Sequence, residues 1–568
     1  MNNENNETAA SISVQDFARV CNEVDREFEE KFSPVFAQKR TYDKAAEYAD
    51  ALAAPGIGTK SSWDIAEHAG YEIPGPVQSL VGENKWSSEE CWDVTGVTAA
   101  KVLGTDYPDD PLGTGIVTDE TAAEKRGNET AGVSRQYAGC AGKIINCVTW
   151  VMMSLVTPEA KTWVSSRLFL PEKTWFTGSG ATGKARRARA GVPEETIFMS
   201  KPEMARKQYQ HAREIGIKFN WAGGDEVYGR YGKLREDHEK NNEAYAYFVP
   251  RNHVVTTRGK ERRRVDELLE LDSARYELRS AGPGVNGPRY YEWAMIGLRS
   301  PNHFLLIRRP VREEQEETGQ ENAGRTPPAD PGDEGPGSAG GPGKEQERDR
   351  VKDEGLTFCL CYVPENSPIK PTMTNLVLMA GRRWGAEETM STGKGPVGWD
   401  ENQFRKWESL QHHTALAGMA MLKANIIRKR VNELSAETEA RVPHQENPQD
   451  MAPGIAFLGA PEPGRNFSPD DLMIPLGDSA VPRQAHQEIP GEIGFIQLSV
   501  NEILRLKSIV RGGMSTARIA FHVRWSKWRR RHQAIARWYH WIARMKAELG
   551  TASHPGLESA VTLCDHCL

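Results

Sequence analysis

Apolar positions recur with helical spacing over the first hundred residues of this chain and with strand-like spacing after them. Between residues 15 and 105 two short helical patterns are separated by the turn sequence GYEIPG. Ser87, followed three positions later by Glu90, predicts a capping box at the start of the next helix. We therefore predict a helical N-terminal region over residues 1–105, of a size that suits a DNA-binding helix-turn-helix module, although many small helical bundles have the same pattern.

Residues 112–253 have the pattern of a mixed α/β domain. The apolar runs GIVTDE, IINCVTWVMMSLVT and KTWVSSRLFLP predict three successive strands. The helical pattern KPEMARKQYQHAREIG, a strand ending in GGDE, a second helix and the strand AYAYFVPRN follow. The order β-β-β-α-β-α-β predicts a sheet with an antiparallel start and a parallel continuation. In this scheme the segment RQYAG, after the first strand, is a turn.

The second half of the chain divides by composition. A strand-rich region is predicted over residues 254–366, with an acidic, disordered segment at 312–355 inside it. Residues 367–434 return to the core pattern, with one helix from near Pro371 to Pro396 and a long helix after it. We predict a Pro- and Gly-rich linker at 435–492, a basic helical region at 493–550 that opens on a capping box at Ser499 and Glu502, and a tail at 551–568.

Charge is distributed unevenly along the 568 residues. The net charge is −6, but residues 312–355 hold 13 acidic and 6 basic side chains, so the rest of the chain is close to neutral. Residues 518–546 carry nine Lys or Arg and no acid, interleaved with aromatics. This pattern favours a phosphate-binding helix with Arg529, Arg530 and Arg531 as contacts. An amphipathic helix packed on the body and an acidic membrane surface remain alternatives. No apolar run approaches the ~20 residues that cross a bilayer, so an intracellular protein is expected.

Two acids stand at the ends of predicted strands. Asp119 ends the first strand of the α/β domain and Asp225 ends the fourth. Each alone is typical of a turn residue or a helix cap. If their strands are neighbours, the two carboxylates converge and repel each other, and a divalent cation relieves that repulsion. Oxygen ligands favour Mg²⁺ or Mn²⁺, and Glu387 lies in the right part of the chain to complete a site for two ions about 4 Å apart.

The stretch AGRRWGAEETMSTGKG places Arg383, Glu387 and Lys394 on one face of a predicted helix. Such a stripe is most often a set of solvent-facing charge pairs. In the alternative, Glu387 is a metal ligand while Arg383 and Lys394 hold a phosphate near it. Glu388 is a rival for the third carboxylate. His412 and His413, on the following helix, are expected to be packing groups because the predicted metal prefers carboxylates.

Several segments, in one order, resemble a known family. They are VTDETAAEKRGNETAGVSRQYAGCAGKIINC, RLFLPEKTW, AGVPEET, KPEMA, GDEVYGR, FVPRN and RRWGAEETMSTGKGPVGWD. Together they are similar to the DDE transposases of bacterial insertion sequences, in the branch with the signature Y-(2)-R-(3)-E-(6)-K. Arg383, Glu387 and Lys394 match the last three positions of that signature, whereas Ala380 stands where the family has Tyr. The resemblance covers residues from about 32 to 549, excluding the acidic segment.

The resemblance implies an α/β fold with an RNase H-like mixed-sheet catalytic core, a strand-rich insertion, and flanking helical regions. It implies that Asp119, Asp225 and Glu387 bind two Mg²⁺ or Mn²⁺ ions. The implied activity is strand cleavage at transposon ends and strand transfer into target DNA, with Arg383 and Lys394 on DNA phosphates. Terminal inverted repeats and target DNA are then the partners of a homodimer in the bacterial cytoplasm, associated with the nucleoid and with no membrane contact. A catalytically inactive DNA-binding relative is the alternative.

Overall fold

In the computed structural model, the described residues are 13–57, 60–104, 107–177, 180–269, 275–284, 287–311, 355–440 and 497–511, with a few positions between 526 and 538. Nearly all of the predicted acidic segment, most of the predicted linker, Arg529, Arg531 and the tail lie outside this part of the chain.

The N-terminal region is helical, as its periodicity predicts. Its helices are α1 Val14–Phe32, α2 Lys39–Leu52, α3 Ser62–His68, α4 Gly75–Gly82 and α5 Ser88–Leu103. The hydroxyl of Ser87 accepts a hydrogen bond from the N–H of Glu90 at 3.0 Å, which confirms the N-cap half of the predicted capping box at α5. Such caps satisfy N–H groups that have no partner within the helix.

The central sheet begins with an antiparallel group and continues in parallel. Its first strands are β1 Gly115–Glu124, β2 Ser134–Ala138, β3 Lys143–Val156 and β4 Lys161–Phe169, followed by β5 Trp221–Gly224 and β6 Ala244–Val249. The helices between β4 and β6 are α6 Glu172–Trp175, α7 Gly180–Ala190, α8 Lys201–Glu214, α9 Glu226–Gly229 and α10 Gly232–Lys240. Strand β1 pairs antiparallel with β3 and parallel with β5, and β5 pairs parallel with β6.

This arrangement confirms the predicted fold class, a mixed α/β protein whose large mixed sheet is consistent with an RNase H-like core. The prediction that RQYAG forms only a turn is wrong, because residues Ser134–Ala138 form strand β2 at the edge of the sheet. Strand β2 is paired to the first part of the long strand β3, and this pairing, not the local sequence, gives the segment its extended conformation.

The strand-rich insertion extends the same sheet. Its strands are β7 Val254–Thr256, β8 Arg262–Arg264, β9 Glu277–Gly284, β10 Gly287–Gly297, β11 His303–Arg309 and β12 Thr357–Tyr362. Strand β12 pairs with β6 on one side and β11 on the other, and β10 and β9 follow in antiparallel pairing. The pair β7–β8 forms a separate hairpin. The insertion is therefore joined to the core by continuous main-chain hydrogen bonding.

The single helix predicted between residues 371 and 396 is two helices, α11 Met373–Arg382 and α12 Trp384–Lys394, which meet at Arg383. The next helix, α13, runs over Trp407–Ala440 and so extends beyond residue 434 into the predicted linker. Helix α13 is buried along most of its length against the N-terminal helices and β4. Helix α14, Val500–Arg511, opens at Ser499, whose hydroxyl accepts from the N–H of Glu502. No helix among the described residues is long and apolar enough to cross a membrane.

Two glycines let α12 lie directly on the sheet. A Cβ at Gly385 would come within 2.8 Å of the side chain of Val156, and one at Gly393 would overlap the ring of Trp163. Val156 and Trp163 are fully buried, on β3 and β4 respectively. The glycines of this stretch thus act in close packing, and they fix the helix that carries Glu387 against the central sheet.

We expect Gly393→Ala to lower the free energy of unfolding by about 1–3 kcal/mol, because the rigid, buried indole of Trp163 leaves no room for a methyl group. Urea denaturation measures this change. Gly82→Ala is the matched control, since a Cβ there meets only the hydroxyl of Ser409 at 3.6 Å. Equal effects of the two substitutions would contradict the packing argument.

Candidate active site

The pairing of β1 with β5 places Asp119 and Asp225 side by side. The prediction that Asp119 ends its strand is wrong, because pairing with β3 continues β1 to Glu124. Asp225 directly follows β5, as predicted. Thr118 and Gly224 are register partners in this parallel pair, and Asp119 and Asp225 are the residues that follow them. Asp225 also caps α9, because its Oδ1 accepts a hydrogen bond from the N–H of Val227 at 2.9 Å. The sequence allowed either a helix cap or a site residue at this position, and Asp225 is a helix cap that also faces a second carboxylate.

The surroundings of the two aspartates disfavour the ionised form of both carboxyl groups. The pKa of Asp119 is raised to about 7, first by burial and then by the charge of Asp225, while the charge of Arg383 opposes the shift. Burial also raises the pKa of Asp225, followed by the charge of Glu120, whereas the N–H of Val227 and the charge of Arg383 lower it. Because burial and like charges both disfavour ionisation, a cation placed here would be stabilised.

Arg383 joins Asp119 to Glu387. Its Nη1 lies 3.3 Å from Oδ2 of Asp119, and its Nη2 donates to Oε1 of Glu387 at 2.8 Å. The guanidinium is 5.5 Å from the ring centre of Phe248, and 19% of the arginine side chain is exposed. Glu387 is more exposed, at 38% of its side chain. The structure therefore connects two of the three predicted carboxylates through one cation, and the charge of that cation also acts on Asp225.

The other residues predicted from the same stretch have different partners. Glu388 forms an ion pair with Lys161, so it is turned toward β4 and away from Arg383. The ammonium of Lys394 donates to the carbonyl oxygen of Ala122 at 2.8 Å, which fastens the end of α12 to β1. The structure thus brings Arg383 and Glu387 to the aspartates but places the ammonium of Lys394 on the main chain of β1.

A fourth carboxylate that the sequence analysis did not single out lies beside the aspartates. Glu120, the neighbour of Asp119 on β1, accepts from the ammonium of Lys201 at 2.7 Å and from the hydroxyl of Tyr228 at 3.1 Å. Tyr228 lies on α9, three residues after Asp225, so this hydrogen bond ties the segment that carries Asp225 to β1. The two adjacent acids in the sequence TDE could have pointed to Glu120 as a site residue, but only the fold reveals its partners.

Ala380, at the position where the resembled family has Tyr, is buried in α11 with 3% of its surface exposed. It packs in an apolar cluster between α11 and the insertion strands. The position at which this chain departs from the signature is therefore part of its hydrophobic core.

The two histidines on α13 are packing groups, as expected. His413 is fully buried, with its Nδ1 2.8 Å from the hydroxyl of Tyr48 and its Nε2 2.8 Å from the carbonyl oxygen of Trp399. The ring nitrogens of His412 face the carbonyl oxygens of Val81 and Trp86. Both imidazoles therefore have partners within the protein interior.

Of the three arginines predicted to contact phosphate in the C-terminal region, Arg530 is described, in a helical position and half-buried. Arg529 and Arg531 lie outside the described residues. Their role in binding DNA stays a prediction.

The donor atoms at this site fit a hard divalent cation. Asp119, Asp225 and Glu387 offer only carboxylate oxygens, and burial followed by neighbouring negative charge raises the pKa values of both aspartates. Among the described residues, however, no three His, Cys, Asp or Glu side chains are gathered closely enough to hold a metal ion. The oxygen donors are thus of the type that a divalent cation prefers. In their present arrangement, however, the positive charge near them is the guanidinium of Arg383.

Part of the chain matches a known protein family. Residues 31–265 match the family described as DDE superfamily endonuclease. The matched range contains Asp119 and Asp225 and ends before Glu387. Over this range the chain is similar to nucleases and transposases of the DDE type, which act on DNA and generally use divalent metal ions. No curated protein matches the chain.

We expect Asp119→Asn to stabilise the metal-free protein at pH 8. The pKa of Asp119 is raised to about 7 in the folded protein, so the folded state binds an extra proton between the unfolded and folded pKa values. Stability therefore falls as the pH rises through this window, and the asparagine removes that loss. Thermal unfolding in chelator should show a higher midpoint for the variant at pH 8, with the difference shrinking toward pH 4.

Asp110→Asn is the matched control. Asp110 is an equally buried carboxylate that accepts hydrogen bonds from the guanidinium of Arg382, the neighbour of Arg383. Its replacement leaves a buried arginine without its ionic partner and should lower the midpoint. A lower midpoint for Asp119→Asn at pH 8 as well would show that its charge is not disfavoured.

Proposed function

We propose that this protein is a metal-dependent DNA transposase that cleaves strands at the ends of a mobile element and transfers them into target DNA. The similarity to DDE superfamily endonucleases supports the chemistry of phosphodiester cleavage. The finer assignment, to a bacterial insertion-sequence enzyme of the Y-R-E-K branch, rests on the spacing of Arg383, Glu387 and Lys394.

The observation that carries the proposal is the convergence of Asp119 and Asp225 at the register of β1 and β5, with Glu387 joined to Asp119 through Arg383. Three carboxylates contributed by two adjacent strands and one helix form a donor set for divalent cations. The partnership of Glu388 with Lys161 supports Glu387 as the third member.

In this proposal Asp119, Asp225 and Glu387 hold Mg²⁺ or Mn²⁺, as two ions. When bound, the ions would activate water or a 3′-hydroxyl and stabilise the leaving oxygen of a phosphodiester. The protein fixes the two aspartates with the sheet and the cap of α9, and it fixes Glu387 with the packing of α12. Tyr228 and Lys201 hold Glu120 next to this group.

DNA contacts are assigned by charge. Arg383 lies next to the carboxylates, and its planar guanidinium has the geometry to bind a phosphate through two hydrogen bonds. Lys394 donates to the main chain of β1 and would bind a DNA backbone phosphate that passes near that strand. The N-terminal helical region and the basic residues Arg529, Arg530 and Arg531 would bind the terminal inverted repeats, and the active complex would be a homodimer.

A DNA-binding relative that no longer cleaves is the second candidate. It is favoured by Ala380, which replaces the signature Tyr with a buried small residue. It is also favoured by the fact that no three carboxylates among the described residues are gathered around one point.

Purified full-length protein with Mg²⁺ or Mn²⁺ should nick DNA that carries the inverted repeats flanking its gene. Asp119→Asn, Asp225→Asn and Glu387→Gln should each lower the cleavage rate by about 1,000-fold or more, because each removes a charged ligand from the metal-dependent step. DNA binding, measured by fluorescence anisotropy, should change little. Gel electrophoresis of end-labelled DNA gives the rates.

Glu388→Gln serves as the matched control and should retain most of the cleavage activity, because its carboxylate is paired with Lys161. Full activity of any of the three carboxylate variants would reject the site. Binding without cleavage under every divalent ion would favour the inactive relative. Cleavage that does not depend on the repeats would instead indicate a general nuclease.

A further inference from the structure

Two arginines of the insertion lie next to Arg383 on one face of the sheet. Arg289 is on β10 and Arg308 is on β11, where it is the register partner of Trp293. Trp293 packs with residues of α11, so Arg308 lies on the α11 side of the sheet. The charges of Arg289 and Arg383 both act on Arg308. The guanidinium of Arg289 donates to the carbonyl oxygen of Gly381 at 3.0 Å, two residues before Arg383.

Aromatic rings hold both guanidiniums in place. The guanidinium carbon of Arg289 is 5.4 Å from the ring centre of Trp384, the residue after Arg383, and that of Arg308 is 4.5 Å from the ring centre of Tyr291. Contacts of this kind orient a cation without neutralising it. Neither of these contacts is with a carboxylate, although the charges of Glu387 and Glu388 act on Arg289 from a distance.

The positive charge here lacks an anionic partner within the part of the chain that the structure describes. Neither Arg289 nor Arg308 forms a salt bridge there, and the Nε of each is buried without a hydrogen-bond partner. Burial lowers the pKa of both arginines, and the charges of Arg383 and Arg289 lower that of Arg308 further. Buried donors without partners are costly, so an oxyanion would be bound favourably.

Arg383, in contrast to Arg289 and Arg308, contacts carboxylates. It contacts Asp119 and Glu387, two of the proposed metal ligands. A divalent ion and the guanidinium would compete for the same carboxylate oxygens, because each is stabilised by the same negative charge. The contacts of Arg383 would therefore weaken metal binding at these carboxylates.

We propose that Arg289 and Arg308 bind a backbone phosphate of DNA, and that this phosphate draws Arg383 away from Asp119 and Glu387 so that the carboxylates can take up the metal. The inference rests on the proposed function, since it takes DNA as the source of the phosphate. Arg383 then acts as a counter-ion in the absence of DNA and as a phosphate ligand in its presence. Metal binding is coupled to DNA binding, and by linkage the coupling is reciprocal.

The test is the affinity of the full-length protein for Mn²⁺, followed by the electron paramagnetic resonance signal of the free ion. Affinity is measured with and without a short DNA duplex, and the Mn²⁺ bound by DNA alone is subtracted. For the wild-type protein we expect the duplex to raise the affinity about tenfold, within the range typical of coupled sites. An arm with inorganic phosphate in place of DNA distinguishes a free phosphate from a phosphate held in a DNA backbone.

Two variants separate the parts of the proposal. Arg383→Gln should bind Mn²⁺ about tenfold more tightly than the wild type without DNA, and the duplex should add little. The double variant Arg289→Gln, Arg308→Gln should resemble the wild type without DNA but lose the effect of the duplex. If the double variant does not fold, Arg308→Gln alone is used, because the described residues offer its Nε no hydrogen bond to lose.

Lys161→Gln is the matched control, since Lys161 pairs with Glu388, the neighbour of Glu387 on the same helix. Its affinities with and without DNA should equal those of the wild type. Unchanged or weaker Mn²⁺ binding by Arg383→Gln without DNA would overturn the counter-ion role. Persistence of the DNA effect in the double or single arginine variant would overturn the phosphate site, and an equal effect of inorganic phosphate would overturn its restriction to DNA.

Failure of the inference can be told apart from failure of the proposed function. If the wild type cleaves DNA in a manner that depends on Asp119 while Arg383→Gln leaves Mn²⁺ affinity unchanged, the inference alone is wrong. If the wild type binds no Mn²⁺ with or without DNA and cleaves nothing, the proposed function is wrong and the inference falls with it.

Discussion

The parallel pairing of β1 with β5 is the constraint on which the candidate site depends. It brings Asp119, inside β1, next to Asp225, which follows β5 and lies 106 positions further along the chain. The pairing requires glycine at two points. A Cβ at Gly115 would overlap the ring of Trp221, and one at Gly224 would be 3.0 Å from the ring of Tyr247 and 3.2 Å from the carbonyl oxygen of Thr118. The fold thus forces two largely buried carboxylates together, and either protonation or a nearby positive charge relieves the repulsion between them.

That positive charge is supplied in this structure by Arg383, and its position depends on how α11 and α12 lie on the sheet. The two helices meet at Arg383, so the guanidinium projects from a junction rather than from the middle of one helix. Close packing at Gly385 and Gly393 holds α12 against β3 and β4, and this sets the distance of Glu387 from Asp119. Packing and electrostatics therefore act on the same few residues, and a change in either would alter the site.

The insertion belongs to the same structural unit as the core. Because β12 pairs with β6 and the remaining insertion strands continue from it, the insertion adds its face to the sheet that carries the aspartates. This continuity places Arg289 and Arg308 beside Arg383. The N-terminal helices are similarly joined to the core through α13. A region assigned by composition to a separate part of the chain can thus contribute side chains to the centre of the molecule.

The sequence by itself determined those features that depend on neighbours in the chain. Strand and helix periodicity predicted most of the core elements, and Ser87 and Ser499 predicted their helix starts. The position of Asp225 directly after a strand followed from the same pattern, whereas Asp119 lies inside β1 and not at its end. The assignments of Glu387 to a metal and of Lys394 to DNA stay predictions.

Tertiary structure alone decided which distant residues meet. It made an edge strand of Ser134–Ala138, buried Ala380, engaged Lys394 with Ala122, and brought Arg289 to the carbonyl of Gly381, 92 positions along the chain. The physical reason is that hydrophobic period and capping are set within a few residues, whereas ion pairs and close packing depend on contacts that form only when the whole sheet is assembled.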